Sequence, residues 1–176
     1  MIEQQTRLAP FAGAWSVFLV VTSTAGSVVF ACATPFAALA AIAALTLPPR
    51  LALVTAMGVW LGNQAIGFLL LRYPLTPDSL LWGLALGGAA LAATAVASRV
   101  AGQSDRADLR RWVAVFAAAL AVQQGLVLVA GLVDGTASLN VAAGVSALNA
   151  VWAAGLAVLY RVTAGLAREP VAVTAR

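Results

Sequence analysis

Long apolar stretches alternate with short polar segments along almost the whole chain. Six stretches are apolar enough to form helices in a bilayer, at residues 11–31, 34–48, 51–71, 79–98, 112–133 and 139–160. A helix needs about 20 apolar residues to cross the hydrocarbon core of a membrane, and no linker rich in proline, serine or glycine separates the stretches. The pattern predicts an all-α, polytopic membrane protein, with six transmembrane helices in a single domain of residues 1–176.

The boundaries of the second stretch decide the helix count. It ends at Leu47-Pro48-Pro49-Arg50, where proline cannot continue a helix and the arginine reaches water. It begins near Ala31-Cys32-Ala33-Thr34-Pro35, the break in a long uncharged run. Basic residues accumulate in cytoplasmic loops, so Arg7 and Arg50 lie on the same side only if the chain crosses an even number of times between them. Two spans before Arg50 are therefore preferred to one.

The remaining arginines favour one orientation, in which both termini are cytoplasmic. By this count Arg72 alone is outside, and the others lie between the fourth and fifth stretches (Arg99, Arg106, Arg110, Arg111) or after the sixth (Arg161, Arg168, Arg176). The predicted location is the bacterial inner membrane.

A competing interpretation makes the N-terminus a signal peptide cut near Ala31-Cys32-Ala33. Its apolar core is longer than the usual ~7–15 residues, and cleavage would leave Arg50 on the wrong side.

Composition narrows the function classes. The chain is 62% hydrophobic and 9% charged, with a mean hydropathy of +0.97, which is typical of an integral membrane protein. Its net charge of +4 comes from arginines scattered in loops, so nucleic-acid binding is not supported. The absence of histidine and the single cysteine exclude an intrachain disulfide and a His/Cys metal cluster. Because the aspartates lie in or beside loops, with no carboxylate pair at short spacing, we do not expect an enzyme.

Polar side chains occur at a similar depth in four of the stretches, toward the predicted outer face. They are Ser27 in the first, Asn63 and Gln64 in the third, Gln123 and Gln124 in the fifth, and Asn140 and Asn149 in the sixth. An unpaired amide in hydrocarbon costs several kcal/mol, so these groups should face one another, water or a ligand. The convergence predicts a polar cavity open to the outside. In the alternative, they only join helices, through hydrogen bonds worth ~0.6–2 kcal/mol each.

Three further residues are candidates for the same cavity. Tyr73 in the external loop after the third stretch and Trp82 near the outer start of the fourth stretch could line its mouth, although aromatic residues also anchor helices at the membrane interface. Cys32 lies at the outer end of the first stretch. It is either a small buried hydrophobic residue or a thiolate that fills one axial position of a metal already caged by a macrocycle.

The chain has six predicted helices in 176 residues, predicted cytoplasmic termini, and Pro48-Pro49-Arg50 followed by the sequence LALVTAMGVWLGN at residues 51–63. In these features it resembles the substrate-binding S-components of energy-coupling-factor vitamin transporters. The resemblance covers most of the chain in architecture, with little motif content. It implies that external loops at about 31–35, 72–79 and 133–139 close over a vitamin held in the outer half of the bundle. It also implies partners, namely a transmembrane coupling protein and two ATPases.

One departure from the family pattern affects the expected ligand. Many S-components carry an Ala-x-x-x-Ala contact in the first helix, whereas this chain offers Ala12/Ser16 and Ser23/Ser27. The chain therefore looks like a solitary S-component, similar to the predicted cobalamin carriers of Gram-negative bacteria. Cobalamin is the leading expected ligand, and its cobalt is the metal that Cys32 could ligate. No intrinsic cofactor is expected. The alternatives are a flavin, biotin or thiamine-like vitamin, or a structural or assembly protein of the membrane.

Overall fold

A computed structural model describes residues 2–29, 34–102 and 108–166, and these residues are almost entirely helical, with no strand among them. Six α-helices follow in order: α1 Ile2–Val29, α2 Phe36–Thr46, α3 Pro49–Ala65, α4 Pro77–Ala101, α5 Leu109–Asp134 and α6 Leu139–Leu166. The third helix continues as a π-helical segment, Ile66–Leu70. The prediction of an all-α protein is confirmed.

The predicted count of six transmembrane helices is not confirmed. In the described part of the chain, five helices are long and apolar enough to cross a membrane, which makes this a multi-pass membrane protein. The second predicted span, 34–48, is instead the 11-residue helix α2. At 1.5 Å per residue it is about 16 Å long, roughly half of a ~30 Å hydrocarbon core. Pro35 precedes it and Pro48 and Pro49 follow it, which confines the helix to the residues between them.

Helix α2 lies at the centre of the bundle. All its side chains from Phe36 to Ala43 are buried, as expected for a helix that is apolar on every face. Helices α3, α4, α5 and α6 pack against it, and α1 packs mainly on α3. Ring contacts between Trp15 of α1 and Tyr160 of α6 close the circle. A ring of five long helices therefore surrounds one short helix.

Alanine allows the close packing around α2. Ala37, Ala40 and Ala41 of α2 share one apolar cluster with Ala93 and Ala97 of α4 and Ala119 of α5, and each of these side chains is buried. Small side chains let helix backbones approach closely, which is a common basis of helix association in membranes.

The two ends of the bundle differ in charge. One end of the bundle contains the start of α3, the end of α4, the start of α5 and the end of α6. We call it the arginine-rich end, because it carries Arg50, Arg99, Arg110, Arg111 and Arg161. Among the described arginines, Arg72 alone lies at the opposite end, in the α3–α4 connection. The start of α1 lies with the end of α6, because Phe11 contacts Tyr160. By the positive-inside rule we expect the arginine-rich end to be cytoplasmic, and this orientation stays a prediction.

Candidate functional site

A cavity of about 260 Å³ opens at the opposite end, between α4, α5, α6 and the amino end of α2. We call it the Gln123 cavity. The α5–α6 connection forms its rim, because Gly135 in the left-handed conformation ends α5 and the backbone N–H groups of Thr136 and Ala137 donate to the Gly131 carbonyl. Its polar lining comes from Thr34, Gln123, Gln124, Ser138 and Asn149, and its apolar lining includes Trp82 and Leu86.

Asn149 is buried, and its amide oxygen holds α2. Its Oδ1 accepts a hydrogen bond of 2.9 Å from the backbone N–H of Ala38, and its Nδ2 donates to the Val145 carbonyl at 2.8 Å. The first N–H groups of a helix lack partners within the helix, and Pro35 supplies no side-chain cap to α2. Asn149 therefore caps α2 from α6, a helix that is distant in sequence but packed against α2, and Asn149 is part of the cavity wall.

Gln124 joins α5 to α6. Its Nε2 donates to the Ala142 carbonyl and to Ser146 Oγ, both at 2.9 Å. Ser146 Oγ in turn donates to the Ala142 carbonyl at 2.7 Å. This amide group therefore fixes the two helices at the level of the cavity.

Gln123 differs from its neighbour. Its side chain is only 4% exposed, yet its Oε1 has no hydrogen-bond partner among the described residues. A buried polar atom without a partner costs about 1–3 kcal/mol. Because it lines the cavity, this amide is the polar group of the wall that a ligand or a bound water can satisfy.

A chain of hydrogen bonds joins three helical elements next to the cavity. Ser27 Oγ and Thr34 Oγ1 lie 2.7 Å apart, and Thr34 Oγ1 donates to Asn63 Oδ1 at 2.6 Å. All three residues are buried. Ser27 and Asn63, both predicted to line a binding site, here tie α1 and α3 to the start of α2. Thr34 was missed as a site residue because its Thr-Pro context indicates only a helix break.

The other half of the predicted site faces a second cleft of about 270 Å³, which we call the Gln64 cleft. It lies between α3, its π-helical segment and α4, and its lining includes Gln64, Tyr73, Asn63 and Trp82. A π-helical turn often marks a functional position in a helix. Trp82 and Leu86 line both spaces, so α4 separates the Gln64 cleft from the Gln123 cavity.

Trp82 is held in place by a carboxylate that the sequence did not identify. Its Nε1 donates to Asp134 Oδ2 at 2.8 Å, and Thr136 Oγ1 lies 3.3 Å from the same oxygen. The bond links the start of α4 to the end of α5 at the mouth of the cavity. Asp134 is 52 residues from Trp82, and only the packing of these helices brings the two together.

Two predicted site residues lie elsewhere. Asn140 is exposed near the start of α6 and lines neither the Gln123 cavity nor the Gln64 cleft. Its position in the first turn of α6 keeps it out of the wall of the cavity. Cys32, the candidate axial metal ligand, lies outside the described residues.

A glycine of α4 makes room for the indole of Trp60 on α3. Trp60 Nε1 donates to the Gly83 carbonyl at 2.8 Å, which fixes the indole against α4. A Cβ on Gly87 would meet this ring at 2.5 Å, whereas a Cβ on Gly88 would meet nothing within 4 Å. Gly87→Ala should therefore lower the unfolding free energy by about 1–2 kcal/mol through overpacking. Gly88→Ala, the matched control, should be neutral or stabilising in the same thermal unfolding measurement, and equal effects of the two would contradict this account.

The wall of the Gln123 cavity thus combines fixed amides, one unsatisfied amide and apolar surface, a combination suited to holding a polar ligand in a fixed orientation. Among the described residues, no group of three or more histidine, cysteine or acidic side chains is placed to hold a metal ion. The chain matches no protein-family model, and no curated protein or solved structure is significantly similar to it.

Proposed function

We propose that this protein binds a vitamin-sized polar ligand in the Gln123 cavity and takes part in its uptake across the membrane, as an S-component does. The observation that carries the proposal is Gln123, a residue of the cavity lining whose buried Oε1 has no hydrogen-bond partner in the described part of the chain. The amino end of α2 opens on the same space through Thr34 and Phe36. The positive end of a helix dipole favours carbonyl, carboxylate or phosphate groups on the ligand.

The size of the cavity bears on the ligand. At about 260 Å³ it is near the lower limit of ligand pockets, which are typically ~300–1,000 Å³. A flavin, biotin or thiamine-like compound is closer to this volume than cobalamin, which is several times larger. Cobalamin requires the Gln123 cavity and the Gln64 cleft to merge, and Trp82 is the side chain whose movement would join them.

The packing of α1 supports a solitary carrier rather than one that shares a coupling module. Ser16, Ser23 and Ser27 of α1 are buried, and Ser16 Oγ lies 2.7 Å from Thr55 Oγ1 of α3. The small-residue face of α1 therefore packs inside this chain instead of being offered to a coupling protein.

The second candidate function is a structural or assembly role. The bonds of Asn149, Gln124 and Asn63 favour it, since each of these amides joins two segments of the bundle. Those bonds account for most of the buried members of the polar layer, and Gln123 is the buried member that they leave unexplained.

A thermal-shift screen of the purified protein with cobalamin, flavins, biotin and thiamine compounds separates the two candidates. A binding protein should be stabilised by one of these compounds, with saturation. Gln123→Leu should weaken that binding by up to about tenfold, the value of one hydrogen bond of about 1.5 kcal/mol. The variant should fold at least as well as the wild type, because it removes an unsatisfied buried oxygen.

Asn140→Leu is the control, since Asn140 lies outside the cavity wall. Absence of any stabilising compound, together with absence of uptake of the same compounds by cells that produce the protein, would contradict the proposal and favour the structural role. A corrin spectrum in protein purified from cobalamin-fed cells, altered by Cys32→Ala, would assign cobalamin and its axial ligand.

A further inference from the structure

A second cavity lies in the half of the bundle near the arginine-rich end. It is a groove of about 360 Å³ between α5 and α6, with α2 at its base, and we call it the α5–α6 groove. Ala41 and Ile42 form its floor, Trp112 and Phe116 of α5 form one side, and Ala153 and Ala154 of α6 are on the other. It has no lining residue in common with the Gln123 cavity.

The groove exists because α5 and α6 are joined at only one level by side-chain bonds in the described chain. Gln124 fixes them together near the Gln123 cavity. Toward the arginine-rich end, alanines on α6 face α5 and leave the space between the helices unfilled. Ala154 and Val158 in this wall are exposed at the protein surface, so the groove opens sideways toward lipid.

A positively charged side chain, Arg161, lies at the end of this apolar groove. The guanidinium carbon of Arg161 lies 5.7 Å from the centre of the Trp112 ring, and both residues line the groove. Arg161 is exposed, and it makes no ion pair with an acidic side chain of the described residues. Stacking on an indole fixes the plane of the guanidinium and leaves its N–H groups free to bind a phosphate.

We propose that the α5–α6 groove binds one anionic phospholipid, with an acyl chain between α5 and α6 and the phosphate on Arg161. From Ala150 to Arg161 the groove follows α6 for about 16 Å, which is the depth of one leaflet of a ~30 Å core. Basic pockets between transmembrane helices on the cytoplasmic side are suited to anionic headgroups.

Size and charge favour a lipid over a protein helix in this groove. A helix is about 10 Å across, so a segment 16 Å long would occupy about 1,300 Å³, several times the volume of the groove. An acyl chain is a single file of methylene groups and needs much less space. The arginine at the mouth then selects an anionic headgroup over a zwitterionic one.

The full-length protein can be tested in lipid nanodiscs that contain equal amounts of phosphatidylglycerol and phosphatidylcholine with identical acyl chains. Native mass spectrometry after release should find one retained lipid, with phosphatidylglycerol favoured about fivefold, since one arginine near an anionic headgroup is worth about 1 kcal/mol. Arg161→Gln should abolish the preference. Arg99→Gln, at the same end on α4, should retain it.

Ala154→Phe should fill the groove and abolish lipid retention, whereas Val151→Phe, on the lipid-facing side of α6 outside the groove lining, should not. Equal retention of the two lipids by the wild type would overturn the proposal. So would a preference that survives both Arg161→Gln and Ala154→Phe. A protein dimer that carries no lipid and is lost in Ala154→Phe would assign the groove to a second copy and also overturn it.

Discussion

Replacing Asn149 with leucine should lower the free energy of unfolding by about 3 kcal/mol, the largest loss of stability expected from any single polar side chain in the bundle. The substitution removes Oδ1, the acceptor for the Ala38 N–H at 2.9 Å. That N–H belongs to the first turn of α2, where no carbonyl of the helix itself can accept it. Leucine of similar size fills the space but leaves the donor buried and unpaired.

Asn140→Leu is the matched control, because Asn140 lies on the same helix but is exposed. It should change stability by less than about 0.5 kcal/mol, as surface substitutions usually do. The measurement is thermal or denaturant unfolding of the protein in detergent, followed by far-UV circular dichroism. Similar losses for the two variants would mean that the Asn149 bond does not anchor α2.

The role of Asn149 also explains why the second predicted span differs from the structure. The apolar run at 34–48 has the composition of a membrane span, and the prolines on both sides were recognised as boundaries. What the sequence does not reveal is that a helix of 11 residues can begin inside the bundle. Irregular backbone at membrane depth is stable only where it is buried in protein and its polar groups are satisfied. Here Asn149, 111 positions from Ala38, satisfies one of them, the Ala38 N–H.

The long helices were predictable because each depends on local features. Five of the six predicted spans overlap the membrane-length helices, since hydrophobic length decides whether a helix can cross a bilayer. The helix ends follow nearby residues in the same way: Thr76 caps α4 by accepting from the Ser79 N–H, and Asp108 caps α5 by accepting from the Arg111 N–H.

The site was predictable as a layer but not as a set of contacts. Adjacent residues on a helix point about 100° apart, so Gln123 and Gln124 make different contacts although both line the cavity. Gln124 bonds α6, while Gln123 is left unsatisfied in the wall. The same separation places Asn63 in a hydrogen-bonded chain with Thr34, and Gln64 in the other cleft. Which member of each pair bonds a neighbouring helix or segment depends on helix rotation, which the sequence pattern leaves undetermined.

Filling the Gln123 cavity should have the largest effect on ligand binding. Ala142 lines the cavity from α6, and its carbonyl already accepts bonds from Gln124 and Ser146. Ala142→Phe keeps this backbone carbonyl but projects a ring into a space of about 260 Å³. A ligand that must then displace the ring meets an overpacking cost of about 1–3 kcal/mol, so its dissociation constant should rise by up to about a hundredfold.

Ala143→Phe provides the control for this substitution. Ala143 is the next residue of α6, is exposed, and does not line the cavity. Both variants add the same ring to the same helix turn, so a general effect of phenylalanine on insertion or folding would appear in both. Titration of the compound that stabilises the wild type should give loss of binding in Ala142→Phe and normal binding in Ala143→Phe. Unchanged affinity in Ala142→Phe, with the variant folded, would place the ligand outside the Gln123 cavity and direct attention to the Gln64 cleft, which this substitution does not touch.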